Sequence, residues 1–144
     1  MGRKTSPYKN YPQWTTARFF TFLRSALRQA WSRYPPKKEA REAASVGRMR
    51  NKKTGRQAEH FECADCHNVF TRKETHVDHI VDAGTLRCYE DIQGFIERLF
   101  CSKYDLQVLC HDCHKTKTDS ERKKKIASLK PENDGANQGD LFSV

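Results

Sequence analysis

The chain has 144 residues, 36% of them hydrophobic and 31% charged, with a formal net charge of +9. That length provides one modest core with appendages, not two ordinary domains. The longest apolar runs are only a few residues and no apolar signal-type stretch follows Met1, so a soluble protein with no membrane partner, in a reducing cytoplasmic compartment, is expected. The charge is placed unevenly: residues 1–58 carry 15 Lys/Arg against Glu39 and Glu42 alone, a balance of +13, whereas residues 59–144 carry 12 Lys/Arg against 16 Asp/Glu, a balance of −4. A polyanion suits the first segment, because neutralising successive phosphates releases condensed counterions. A solvated basic face is the plainer reading of the same residues. A membrane surface fits less well, since aromatic and arginine residues are not sorted onto one deeply apolar face.

In chain order, Phe20, Leu23, Leu27, Ala30, Trp31 and Tyr34 recur at three and four, with Arg24 and Arg28 on another face. The spacing predicts a basic amphipathic helix over Gln13 to Tyr34. Pro35-Pro36 stops it, and a second helix is predicted from Lys37 to about Arg50, with Pro36 suited to its start and Ala40, Ala43, Ala44 and Gly47 on one side. A basic loop, NKKTGRQ, follows. His60 to His67 reads as a strand entering a tight cysteine turn, and Val69 to Ile80 as short strands around TRKE. Asp82-Ala83-Gly84 breaks that pattern. Ile92, Phe95, Ile96, Leu99 and Phe100 mark a short helix packed by one face, Leu106 to Leu109 a short strand, and the residues after it a second cysteine turn and a polar helix to near Ala127. After Pro131 the composition is Asn, Gly, Asp and Gln, which predicts disorder.

Of the six cysteines, four form two Cys-x-x-Cys pairs, Cys63/Cys66 and Cys110/Cys113. A two-residue gap lets both sulfurs of a pair point at one tetrahedral ion, so a structural zinc site is expected, with disulfides and an iron centre as the competing readings. The ion would clamp together the two ends of the unit between the pairs. Cys88 and Cys101 lack that spacing and read as packed thiols, while His67 and His111 adjoin ligands.

Between and just beyond the pairs stand Asp78, His79 and His114. Here VDHI, Val77 to Ile80, and DLQVLCHDCHKTKT, Asp105 to Thr118, resemble the HNH endonuclease motif in its four-cysteine form. FIERLFC, Phe95 to Cys101, is similar to an insert of small phage-encoded HNH nucleases. The resemblance covers about residues 59–120. It implies an α+β fold: a zinc-braced ββα-metal finger at 59–128, preceded by a basic helical DNA-binding extension at 1–58 and followed by a disordered tail at 129–144.

The resemblance also implies roles that phosphodiester hydrolysis asks for. His79, a neutral imidazole, would be the general base, and Asp78 with His114 would hold one Mg²⁺, Mn²⁺ or other divalent ion. Neighbours on a strand point oppositely, so one can face the ion and the other the water; a hydrogen-bonded structural pair is the alternative for Asp78–His79. The family's middle asparagine falls at Asp105, and an ionised aspartate only accepts hydrogen bonds where asparagine also donates. DNA contacts are expected from Arg18, Arg24, Arg28, Arg48, Arg50, Lys52 and Lys53, and from Lys115 and Lys117 unless these are merely solvated. In the tail, Gln138, Leu141 and Phe142 are similar to the peptide by which bacterial enzymes dock on the sliding clamp, departing at Gly139.

The expected function is thus a metal-dependent HNH DNA endonuclease, phage-encoded and acting in the host cytoplasm. The alternative is a catalytically inactive zinc-containing DNA-binding protein or accessory to the phage packaging machinery. An RNA-directed nuclease is a third reading, since basic charge alone does not separate the two polymers.

Overall fold

The computed structural model describes residues 7–129. Strands β1 (Pro7–Tyr8) and β2 (Tyr11–Thr15) form a small antiparallel hairpin. Helix α1 (Thr16–Trp31) follows, its first turn capped by the Thr15 hydroxyl accepting from the Arg18 N–H. The helix therefore starts three residues later than its periodicity suggests, because β2 takes residues 11–15. Helix α2 (Pro35–Ala43) begins with proline at its first position, where a missing N–H costs nothing.

The expected helix to Arg50 is corrected: α2 ends at Ala43, Ala44 caps it, and β3 (Ser45–Arg50) begins at once. Gly47 sits at φ +96°, outside helical space, and the Ser45 hydroxyl bonds both the Gly47 N–H and the Glu59 carboxylate. β3 pairs antiparallel with β4 (Gln57–Glu62), with a bulge between Ser45 and Gly47, and β4 pairs with the short β5 (Val69–Thr71). A 3₁₀ turn at Arg72–Glu74 leads into β6 (Thr75–His79). After α3 (Ile92–Leu99) comes β7 (Leu106–Cys110), antiparallel to β6 from Thr75↔Cys110 to His79↔Leu106. Helix α4 (His111–Leu129) leaves β7 without a loop. β6, β7 and α4 thus form a strand–strand–helix unit within an α+β chain.

Three buried clusters join these parts. Phe20 of α1 packs with Ala83, Leu86, Phe95 and Leu99, flanked by Phe19, Leu23, Leu27 and Trp31. Ala40 of α2 packs with Phe61, Val77, Leu106 and Val108. Leu109 packs with Cys63 and Cys110 against Phe70. The basic segment is therefore part of the body of the protein: α1 buries a face on Ala83, Leu86 and α3, α2 buries one on β6 and β7, and β4 runs across residue 58. Charge is carried on the outer faces while the apolar stripes hold the segment down.

Phe95 is fully buried, so Phe95→Ala is expected to cost about 3–5 kcal/mol in urea unfolding. Tyr104 is 80% exposed, and Tyr104→Ala should stay within about 0.5 kcal/mol in the same assay.

Candidate metal centre and acid–histidine site

β4 delivers the chain into the first cysteine turn, which is held by Cys63 N–H to Asn68 O at 2.9 Å and His67 N–H to Cys63 O at 3.0 Å, with His67 at φ +59°. Ala64 N–H donates to Val108 O at 2.8 Å and so ties this turn to β7. Cys110 ends β7 and Cys113 lies in the first turn of α4. The four sulfurs, from stretches more than forty residues apart, all lie within 4.8 Å of one another. Four thiolates around zinc at about 2.3 Å stand about 3.8 Å apart at tetrahedral angles. Cys66 Sγ to Cys110 Sγ is 3.9 Å. The donor set and its spacing therefore fit one tetrahedrally held metal ion.

The thiols themselves show why a cation belongs there. Burial pushes Cys63 up, but backbone N–H groups of Cys110, Cys66 and Asp65 outweigh it and bring the thiol down to about 6. Cys110 is pushed up by burial, and Cys113 is pushed up chiefly by its contact with Cys110. The backbone donors stabilise one thiolate; crowded sulfurs resist further ionisation without a positive charge among them. Cys88 and Cys101 lie apart from this cluster as half-buried free thiols.

The second set of groups lies where β6 meets α4. Along β6, Thr75, Val77 and His79 are buried, His76 is exposed and Asp78 is half-buried. On α4, His114 and Lys117 are three residues apart and share a face toward β6. His114 Nε2 stands 3.8 Å from Asp78 Oδ1. Lys117 Nζ stands 2.5 Å from Asp78 Oδ2, donates also to the His79 backbone carbonyl, and lies 3.3 Å from Glu121 Oε1. Burial lowers the affinity of Lys117 for its proton, but Asp78 and Glu121 overcome this and hold it raised. Lys117, expected either to touch phosphate or to be merely solvated, is the counter-ion of Asp78. Lys115 is exposed.

His79 points the other way. It is 7% exposed, its ring lies 4.7 Å from that of Trp31, and its Nε2–H donates to Leu99 O at 2.8 Å. The donation leaves Nδ1 as the ring's acceptor. The structure thus brings Asp78 and His114 together and separates the His79 ring from them across the strand. Asp105 is exposed, and the bond from this loop to the end of β6 is made by its backbone, with Ile80 N–H donating to Asp105 O at 2.9 Å. A backbone carbonyl makes that bond whether the side chain is amide or acid.

Two further histidines adjoin Asp78 and His114. His76 stacks on His114 with ring centres 4.7 Å apart. Its Nε2 lies 2.8 Å from His111 Nδ1, and His111 Nε2 donates to Lys73 O at 2.7 Å. That carbonyl requires a proton on His111 Nε2, so His111 Nδ1 accepts from His76. The signal for both was their spacing: His76 two residues before Asp78 on a strand, His111 three before His114 on a helix.

Of the expected DNA contacts, Arg18 lies over the Trp14 ring at 4.8 Å and Arg28 over Phe95 at 6.0 Å, while Arg24 is half-buried on α1. Arg48 and Arg50 are on a strand, not on the expected helix, and Lys52 and Lys53 are in the turn after it, within the basic loop. Gln138, Leu141 and Phe142 lie outside the described residues. No helix among the described residues is long and apolar enough to cross a membrane. No family model matches the chain, and no curated protein or solved structure matches it either.

Titration of the folded protein with a mercurial thiol reagent should release one divalent ion per chain. Cys63→Ser combined with Cys110→Ser should release none and should lose the Ala64–Val108 tie, seen as faster amide exchange at Ala64.

Proposed function

We propose that the chain is a metal-dependent DNA endonuclease of the HNH type, with zinc at the four cysteines as a structural brace. The observation that carries this reading is the 3.8 Å approach of His114 Nε2 to Asp78 Oδ1 across β6 and α4, next to the sulfur cluster that roots both β7 and α4. Two ligand atoms each about 2.1 Å from one ion can stand up to about 4.2 Å apart, so this pair fits a shared divalent ion. A magnesium or manganese ion held there would neutralise phosphate oxygens and the departing 3′ oxygen. His79 Nδ1 is the lone pair that would accept the proton of the attacking water, its tautomer set by the Leu99 carbonyl. The imidazole pair His76–His111 holds the His114 ring by stacking. Lys117 balances Asp78 until a divalent ion displaces its ammonium.

A second reading has its own observation. The burial of His79 under Trp31 and its bond to Leu99 O suit a packing residue as well as a base, and favour a zinc-containing DNA-binding or packaging accessory protein without catalysis. Nicking of supercoiled plasmid separates the two. The nuclease reading expects cleavage with Mg²⁺ or Mn²⁺ that falls by about 10²–10⁴-fold in His79→Ala, with zinc content and DNA binding retained. Absence of nicking by the unsubstituted protein with every divalent ion tried would leave the accessory reading. Independently of turnover, Lys117→Met should tighten Mn²⁺ binding several-fold in an electron paramagnetic resonance titration, because no ammonium competes for Asp78; unchanged or weaker binding would contradict that role.

A further inference from the structure

Residues 45–58 contain Arg48, Arg50, Lys52, Lys53 and Arg56 and no acidic residue. β4 pairs with β5 only through His60, Phe61 and Glu62. Beyond them Arg48–Arg50 and Gln57–Glu59 continue as a two-stranded ribbon. From Val46 to Arg50 every residue of β3 is exposed, so both faces of the ribbon meet solvent. An isolated pair of strands is marginal in water, and this one takes its order from its turn. Lys53 N–H donates to Asn51 Oδ1 at 2.9 Å, Gly55 N–H to Asn51 O at 2.7 Å, and Asn51 N–H to Arg56 O at 2.8 Å. Gly55 at φ +71° closes the turn in a conformation that other residues avoid. Lys53 Nζ, 3.0 Å from Glu74 Oε1, ties the tip to the 3₁₀ turn before β6. A ribbon held in this way is ordered before anything binds it, which lowers the entropy lost on binding.

The strand's alternation places Arg48 and Arg50 on one face, opposite Glu59 and Gln57 of β4. Glu59, the one acid there, accepts from the Ser45 hydroxyl at 2.8 Å. Alongside runs a groove of about 480 Å³ whose lining includes Arg56, Arg72 and Lys73. Next to it, on α2, Lys37 is lowered by burial and by repulsion from Arg41 and Arg72, and Arg41 by burial and by repulsion from Arg72. Cations are gathered here beyond what local acids neutralise, and a polyanion would relieve their repulsion. The surface also leads to the candidate site, since Arg41 Nη1 donates to Thr75 Oγ1 at 2.9 Å, one residue before His76.

The shape of the ribbon narrows the polyanion. The major groove of B-form DNA, about 12 Å wide, admits a two-stranded ribbon, whereas the A-form major groove is too narrow for side chains to be read there. We propose that the β3–β4 ribbon enters the major groove of duplex DNA, with Arg48 and Arg50 toward the base edges and Arg41 and Arg72 on the flanking phosphates. The proposal rests on DNA being the substrate and adds how the duplex is held.

Dimethyl sulfate footprinting tests it, because the reagent methylates guanine N7 in the major groove and adenine N3 in the minor groove. With the full zinc-loaded chain and no added Mg²⁺ or Mn²⁺, a duplex should show protected guanine N7 and open adenine N3, and a duplex RNA of the same sequence should bind about tenfold more weakly or worse. Arg48→Ala with Arg50→Ala, both exposed, should lose the guanine protection and about tenfold or more in affinity at unchanged zinc content. Protection of adenine N3 with N7 open, equal affinity for the RNA duplex, or full protection by the double variant would each overturn the proposal. Plasmid nicking with Mg²⁺ or Mn²⁺, run in parallel, keeps the two readings apart. Nicking with N7 left open removes the ribbon and keeps the nuclease, and N7 protection without nicking does the reverse.

Discussion

Four sulfurs from two distant stretches share a volume only a few ångströms across, and the placement of everything near Asp78 follows from that. Their crowding opposes ionisation beyond a first thiolate, since Cys63 is held down while Cys110 and Cys113 are pushed up. One divalent cation among them would favour the thiolates and make the cluster a brace. Because Cys110 closes β7 and Cys113 opens α4, such a brace would set the angle at which the helix leaves the sheet. His114, the residue after Cys113, would thereby be held where it lies, beside Asp78. The chemistry proposed for the pair depends on a clamp that takes no part in it.

The charges around Asp78 are arranged with the same economy. Its two oxygens face different partners, Oδ1 toward His114 and Oδ2 toward Lys117. A half-buried carboxylate is thus paired with an ammonium, which avoids the cost of leaving it unpaired. The two contacts fix the orientation of the acid, which a ligand to a divalent ion would need. On the far face of the strand, His79 is fixed with equal firmness by Trp31 and the Leu99 carbonyl. One short strand therefore carries two differently buried polar environments, and α1 makes one of them. The basic N-terminal segment is part of the architecture of the candidate site as well as a charged surface.

Much of this was legible in the sequence. The two Cys-x-x-Cys pairs pointed to a shared ion, and the apolar spacing in α1 and α3 pointed to the faces that are buried. The approach of His114 to Asp78 was expected from a clamp on the two cysteine pairs, and the two groups do stand 3.8 Å apart. Other features depend on contacts that no local pattern encodes. β3 read as helix because Ala40, Ala43, Ala44 and Gly47 fall on one side of a helix begun at Pro36, and strand formation there depends on pairing with β4 further along the chain. The direction of His79 depends on Trp31, 48 residues earlier, and Lys117 finds Asp78 across 39 residues. At Asp105 the tie from the loop to the end of β6 is made by the backbone, which the identity of the side chain does not announce. The His76–His111 pair was visible as two spacings on separate elements, but nothing short of the folded chain joins them.

The central claim is that the sulfur-bound ion positions a second, exchangeable ion site at Asp78 and His114. Nuclear magnetic resonance of the histidine rings during Mn²⁺ addition tests it most directly. In zinc-loaded protein the His114 ring signals should broaden at lower Mn²⁺ than those of the buried His60, and after zinc is stripped that selectivity should vanish. Selective broadening of His114 that survives zinc removal, or no selectivity in the loaded protein, would contradict the account.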